Sequence, residues 1–242
     1  MLDAILSGDF QQIMLALLAG IVVIFIALPL HECAHGFVAR LLGDPTAERM
    51  GRLTLNPLNH LDPIGSLAIL FVGFGWAKPV PVNPYYFKNR KNGMALVSLA
   101  GPLSNLLIAT LAVMLYKILL YFVPISEFTL ILCGVLNLVA QINISLCAFN
   151  LIPIPPLDGS KIIGFFLPMN WYWRYEQFFA KYQQYVFYAM ILLLFVLPKA
   201  GGALGSLSAI IDVPFDFLWN AMAWVADNLT IFINLIAKAV YA

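Results

Sequence analysis

Two histidines and a glutamate, His31, Glu32 and His35, stand within five residues of one another in the stretch HECAH. Residues four apart on a helix lie about 40° apart around its axis, because the helix has about 3.6 residues per turn. The two imidazoles can therefore bind one ion, while the Glu32 carboxylate can reach a water molecule on that ion. This arrangement is typical of zinc hydrolases, in which two histidines bind the metal and the glutamate is the general base.

A catalytic zinc ion needs a third protein ligand, and the sequence offers several. Asp158 is favoured by its setting, NLIPIPPLDGSK, whose prolines exclude a regular helix and whose Gly159 permits an unusual backbone angle. A carboxylate on such a segment can turn back towards the histidines, although PLDG alone is also a turn signal. The other candidate ligands are Asp44, Glu48, His60, Asp62 and Glu176.

The composition indicates an integral membrane protein. Of the 242 residues, 62% are hydrophobic and 10% are charged, whereas soluble domains have roughly 45–50% apolar and about 25% charged residues. The net charge is +1 and the sequence contains no nucleic-acid-binding motif. We therefore expect an all-α polytopic membrane protein whose surroundings are the lipid bilayer.

Four mostly apolar stretches are long enough to cross a bilayer as helices, which takes about 20 residues. They are residues 12–30, 94–123, 128–149 and 178–197. The tail, residues 205–241, contains four charged residues, and the sequence leaves open whether it forms one span, two short helices or an interfacial helix.

Lysine and arginine positions predict the orientation of these spans. None precedes the first span, whereas seven follow it: Arg40, Arg49, Arg52, Lys78, Lys88, Arg90 and Lys91. We therefore expect the N-terminus outside and the first and third loops in the cytoplasm. His31 and His35 close the first span and Asp158 follows the third, so both groups are predicted to reach the cytoplasmic face.

The stretch GSLAILFVGFGW, residues 65–76, is apolar but short. If it crossed the membrane, the lysines and arginines from Lys78 to Lys91 would lie outside, against the charge bias. We therefore interpret residues 65–82 as a re-entrant or interfacial segment in the form of a β-hairpin of short strands. An exposed strand edge there would bind substrate in an extended conformation.

Three blocks resemble the site-2 proteases, which are intramembrane zinc metallopeptidases: HECAH at 31–35, AGPLSN at 100–105 and NLIPIPPLDG at 150–159. GRLTLNPLNHLDPIG, residues 51–65, is similar to the compact prokaryotic branch, which lacks PDZ and CBS domains. The resemblance implies one zinc ion bound by His31, His35 and Asp158, with Glu32 as the general base. It also implies that Asn105 and Asn150 contact the substrate or the developing oxyanion.

The resemblance further implies a single integral membrane protease domain over residues 1–242. Its three-helix catalytic core would occupy about residues 12–165 and open to the cytoplasm, with C-terminal transmembrane helices over about 176–242. No transmembrane helix is expected before the HECAH span. The expected substrates are transmembrane proteins of the cell (inner) membrane, and neither the physiological substrate, the regulation nor the oligomeric state follows from the sequence.

Three alternatives remain open. A metal-ion transporter could use HECAH only to bind ions, but it would need polar groups along several spans, and the second and fourth spans have few. An inactive relative could bind membrane proteins without cleaving them. A different membrane protease could use Glu176 as its third ligand, although no motif surrounds that residue.

Overall fold

The computed structural model describes residues 8–72, 75–191 and a few positions between 216 and 227. The regular structure in this part of the chain is helical, as the composition predicts, and it contains no strand. The helices are α1 (Phe10–Val22), α2 (Leu28–Leu41), α3 (Thr46–Arg49), α4 (Pro63–Val72), α5 (Arg90–Phe122), α6 (Glu127–Asn150), α7 (Gly159–Phe166) and α8 (Met169–Ile191).

In the described part of the chain, three long helices are apolar enough to cross a membrane: Phe10–Leu41, which joins α1 to α2, together with α5 and α6. The predicted spans 12–30 and 128–149 lie within these helices and 94–123 ends one residue beyond α5, so the prediction of three long apolar helices is confirmed. The predicted span 178–197 begins within α8, but residues 192–197 lie outside the described part of the chain. Most of the tail, 205–241, also lies outside it.

Side chains that precede α5 and α6 determine where these helices begin. The Asn89 side chain accepts a hydrogen bond from the Asn92 amide, and the Ser126 hydroxyl accepts one from the Thr129 amide. Each satisfies an amide that has no partner within its own helix. The turn between the two helices is consequently short, and α5 and α6 form an antiparallel pair.

Small side chains let the three long helices pack closely. Ala19 of α1, Ala109 of α5 and Ala140 of α6 are wholly buried in one cluster, beside the wholly buried Ile144. Small residues at helix contacts are the usual means of close packing in membranes, where water does not drive helices together. Both α2 and α7 pack against α5, while α6 packs against α1 and α5.

A π-helical turn, Val23–Ala27, joins α1 to α2. The Leu28 amide donates to the Val23 carbonyl, five residues earlier rather than four. The buried Pro29 follows, and it has no amide hydrogen to continue the α-helical pattern. Turns of this kind are frequent at functional sites, and this one ends shortly before the first histidine of HECAH.

The β-hairpin predicted over residues 65–82 was wrong. Pro63–Val72 is an α-helix, and residues 75–83 have no strand pairing. A helix satisfies its own backbone hydrogen bonds, and Asp62 begins this one by accepting a hydrogen bond from the Gly65 amide at 2.8 Å. The first turn also lies against the following loop, because a Cβ on Gly65 would be 3.0 Å from the Trp76 backbone nitrogen.

Residues 75–83, which we name the proline loop, return the chain from α4 towards α2. The Lys78 amide donates to the His60 carbonyl at 2.8 Å. Asp44, only 1% exposed, accepts from the Asn83 amide at 2.6 Å, from the Thr46 amide at 2.9 Å and from the Thr46 hydroxyl. Buried polar groups thus fix both ends of the proline loop.

We expect Asp44→Ala to lower the free energy of unfolding by about 1–3 kcal/mol, because it leaves buried amide donors without an acceptor. Thermal unfolding of the purified protein in detergent would measure the change. Asp44→Asn, which keeps one carbonyl oxygen in place, is expected to lose less. Equal stability of wild type and Asp44→Ala would contradict the anchoring role.

Candidate metal centre

His31 and His35 of α2 lie beside Asp158, which directly precedes α7, and both α2 and α7 pack against α5. The Nε2 atoms of the histidines are 3.1 Å apart, and they lie 3.5 Å and 3.2 Å from Asp158 Oδ2. Ligands about 2.0–2.1 Å from a tetrahedral zinc ion are separated by about 3.3 Å. Two imidazole nitrogens and one carboxylate oxygen at these separations fit a zinc ion.

The irregular segment between α6 and α7 carries Asp158 back to the histidines. Asp158 immediately precedes α7, whose first residue is Gly159. A Cβ on Gly159 would overlap the backbone carbonyl oxygens of Leu151 and Ile152, so only glycine lets the segment fold this tightly. The sequence predicted an unwound segment here, and the structure places it where its carboxylate faces α2.

The charge state of Asp158 suits a metal ligand. Burial is the largest single influence and raises the pKa of its carboxyl group, but hydrogen bonds and charge attraction from His31 and His35 outweigh it. The net result is a pKa well below the ordinary range of a carboxyl group. Asp158 is therefore deprotonated at neutral pH, which is the form that binds metals.

Backbone contacts orient one of the two imidazoles. His35 Nδ1 lies 2.7 Å from the Val97 carbonyl of α5, and this nitrogen must donate because a carbonyl can only accept. In the neutral imidazole the lone pair is then on Nε2, the nitrogen that faces His31 and Asp158 and would bind a metal. His31 Nδ1 is buried and has no hydrogen-bond partner in the described part of the chain.

Gly101 leaves the space that the imidazoles occupy. A Cβ at this position would lie 2.5 Å from Cε1 of both His31 and His35. Because α5 carries Gly101 directly past the cluster, any side chain there would displace the rings. Pro102 follows, wholly buried, and it cannot donate to the carbonyl of Ser98 one turn earlier.

Glu32 lies beside this cluster and is held by the proline loop. Its Oε2 accepts a hydrogen bond from the Val80 amide at 2.8 Å. The side chain is half-buried, between the interior histidines and the exposed face of α2. The structure thus places Glu32 next to the ligand set, with its carboxylate oriented by a backbone amide.

The other acidic and histidine candidates have different partners. Asp44 anchors the proline loop and Asp62 begins α4. Glu48 pairs with Arg40 at 2.6 Å on the surface. His60 is wholly buried and its Nε2 lies 2.7 Å from the Thr54 carbonyl. Glu176 lies near Tyr172 on α8. Asp158 is the candidate that the structure brings to the two histidines.

The two asparagines that the resemblance assigns to substrate differ in their surroundings. Asn105 is wholly buried on α5, and neither its amide nitrogen nor its oxygen has a partner among the described residues. It lies one turn beyond Gly101. The Asn150 amide instead donates to the Leu146 carbonyl, one turn back on α6, at 2.9 Å.

Sequence reasoning missed three contributions to this site. Two are backbone groups, the Val97 carbonyl and the Val80 amide, and any residue type supplies a backbone carbonyl. Gly101 stood within a recognised block, AGPLSN, but its contact with the rings depends on how α5 crosses α2. The sequence hints at the Val80 contact alone. Because Pro79 and Pro81 have no amide hydrogen, Val80 carries the sole amide donor of residues 79–81.

We expect Gly101→Ala to weaken metal binding by about 10- to 100-fold, the usual effect of disturbing the groups around metal ligands. Titration of the metal-free protein with zinc, followed by competition with a chelator, would measure the affinity. Gly134→Ala is the matched control, because its Cβ would contact only the flexible side chain of Leu15, at 3.2 Å. Unchanged affinity in Gly101→Ala would contradict the packing described here.

The chain is similar in sequence to a known peptidase family and to several zinc metalloprotease relatives. Residues 126–197 match the family model of peptidase family M50. YwhC of Bacillus subtilis, provisionally named a zinc metalloprotease, is 42% identical over 150 residues, which cover 61% of this chain and 68% of YwhC.

Two further relatives carry the same provisional name. Rip2 of Mycobacterium tuberculosis H37Rv is 34% identical over 152 residues, covering 58% of this chain and 56% of Rip2. MJ0611 of Methanocaldococcus jannaschii is 33% identical over 135 residues, covering 55% of this chain and 62% of that protein. The chain thus spans less than two thirds of these two relatives. No solved structure matches it.

Proposed function

Since the chain belongs to peptidase family M50, we propose that it is an intramembrane zinc metalloendopeptidase that hydrolyses peptide bonds in or near the transmembrane segments of other proteins. The observation that carries this proposal is the buried cluster of His31, His35 and Asp158, beside a carboxylate held by the backbone. Two imidazoles and a carboxylate match the donor set of catalytic zinc sites in proteases.

His31, His35 and Asp158 would hold the zinc ion. When bound, zinc supplies a Lewis acid that polarises the scissile carbonyl and lowers the pKa of a water molecule to about 7. The Val97 carbonyl keeps His35 in the tautomer that such a site needs. The low pKa of Asp158 keeps its carboxylate charged.

Glu32 would be the general base. Its carboxylate would take a proton from the attacking water and then deliver that proton to the leaving amine. The Val80 amide donates to Oε2 and so restrains the carboxylate. A proton acceptor held in this way loses little freedom on reaching the transition state.

Asn105 and Asn150 would contact the substrate. The Asn105 side chain is buried with no partner in the described chain, so its amide nitrogen is available to donate to a carbonyl oxygen that gains negative charge. Asn150 would first have to release the Leu146 carbonyl. Asn105 is therefore the better supported of the two.

The protein would lie in the cell (inner) membrane as a single protease domain over residues 1–242. We propose that the N-terminus is outside and that the site faces the cytoplasm, on the basis of the lysines and arginines between the first two spans. The core would cover about residues 12–165, followed by C-terminal helices over about 176–242. The substrates would be transmembrane proteins.

Glu32→Gln tests the proposal directly. Cleavage of a single-span substrate in detergent is expected to fall about 10²- to 10⁴-fold, which is the usual contribution of a general base, while bound zinc is unchanged. Glu48→Gln, a surface change on α3, is the matched control and is expected to cleave like wild type. If Glu32→Gln cleaves as fast as wild type, the proposed role of Glu32 is wrong.

Removal of a metal ligand should have a different signature. Asp158→Ala and His35→Ala are expected to lose both bound zinc and cleavage, because two ligands cannot hold a catalytic zinc ion. A chelator should abolish cleavage by wild type, and added zinc should restore it. Cleavage that survives full zinc removal would exclude the metalloprotease, and zinc retention in Asp158→Ala would exclude Asp158 as a ligand.

A further inference from the structure

Arg52 lies outside the metal centre, yet its contacts lead to Glu32. We propose that Arg52 is a positioning residue for the general base, acting through the proline loop and the Val80 amide. The inference rests on the proposed function of Glu32. Neither the HECAH motif nor the choice of a third zinc ligand assigns a role to Arg52. The inference is carried by a continuous series of hydrogen bonds.

The first link is the Val80 amide, which donates to Glu32 Oε2 at 2.8 Å. Residues 79 and 81 on either side are prolines and have no amide hydrogen. A shift of the loop by one residue in either direction would therefore present no donor to the carboxylate. The hydrogen bond exists only while the loop keeps this register.

The second link is Arg52, which fixes that register. Its Nη2 donates to the Lys78 carbonyl at 2.8 Å and to the Pro79 carbonyl at 3.1 Å. These are the two carbonyls immediately before Val80 along the chain. A planar, always charged guanidinium suits such a paired contact better than the compact ammonium of lysine does.

The third link is a side-chain contact between the loop and α2. A Cβ on Gly36 would lie 3.1 Å from Val80 Cγ1, so the absence of a side chain at Gly36 lets Val80 pack against the helix. Val80 is only 8% exposed. The loop therefore meets α2 at Glu32 through its backbone and at Gly36, one turn later, through a side chain.

Loss of Arg52 should leave the Glu32 carboxylate less well oriented without disturbing the metal ligands. Among the described residues, no hydrogen bond joins the proline loop to His31, His35 or Asp158; their polar contacts are with one another and with Val97. The zinc site and the orientation of the base are consequently separable. A change at Arg52 should alter catalysis while zinc binding stays constant.

The test compares Arg52→Gln with Arg49→Gln in the purified full chain. Arg49, the last residue of α3, is three residues away and exposed, so its replacement removes the same charge nearby without touching the carbonyls of Lys78 and Pro79. Arg52→Gln is expected to lower kcat about 10- to 100-fold, the usual cost of misplacing a catalytic group. KM and bound zinc are expected to match wild type, and Arg49→Gln should match it throughout.

Hydrogen exchange gives a second readout that does not depend on cleavage. Residues 78–83 contain only four amides, at Lys78, Val80, Val82 and Asn83, so mass spectrometry of this segment follows few groups. In Arg52→Gln the protected amides are expected to exchange at least about ten-fold faster, since local opening becomes easier. Arg49→Gln should leave the exchange unchanged.

Val80→Pro provides an independent test should Arg52→Gln fail to fold. It deletes the amide hydrogen and leaves Arg52 in place, so it is expected to lower kcat as Arg52→Gln does. Val80→Ala keeps the amide and loses only packing, and it should retain much more activity than Val80→Pro. Equal activity of these two variants would overturn the proposal.

Other outcomes also decide the matter. Faster exchange in Arg52→Gln with a wild-type kcat would show that the position of the loop does not matter for catalysis. Loss of zinc in Arg52→Gln would show that Arg52 acts on the metal site instead. Failure of the proposed function is distinguishable from both, because wild type and Glu32→Gln would then cleave equally.

Discussion

Three ionisable side chains buried in an apolar helix bundle must compensate one another, and this constraint organises the structure. The two histidines of α2 and Asp158 come from distant parts of the chain, and each alone would be costly to bury. The small residues between the helices let these parts approach, and the irregular segment after α6 returns Asp158 to α2. Gly101 and Gly159 leave the space that this approach requires.

The sequence predicted the side chains of this cluster because residue type and spacing carry the information. The histidines are four residues apart, and Asp158 lies in a proline-rich segment that cannot be a regular helix. The charge bias predicted that both groups reach the same membrane face. The backbone partners, the Val97 carbonyl and the Val80 amide, could not be predicted in the same way. Every residue has a backbone carbonyl, and which one meets His35 depends on how α5 crosses α2.

The error at residues 65–82 has a related cause. A short apolar run has no clear period, so a buried helix and a buried strand look alike, and the charge bias argued only against a membrane-crossing helix. In the structure, Gly65 and Gly75 instead let the first turn of α4 lie against the loop that follows it. The three long spans were predictable because their length alone requires helices in lipid.

The length of the first helix determines how deep the chemistry lies. From Phe10 to His31 the helical rise is about 32 Å, close to the roughly 30 Å hydrocarbon thickness of a bilayer. In the topology that we propose, the first span enters the lipid near Phe10 and brings its histidines to the opposite headgroup region. Water is present at that depth and acyl chains begin immediately beside it, so an enzyme placed there needs no long aqueous channel to hydrolyse a bond that emerges from the membrane.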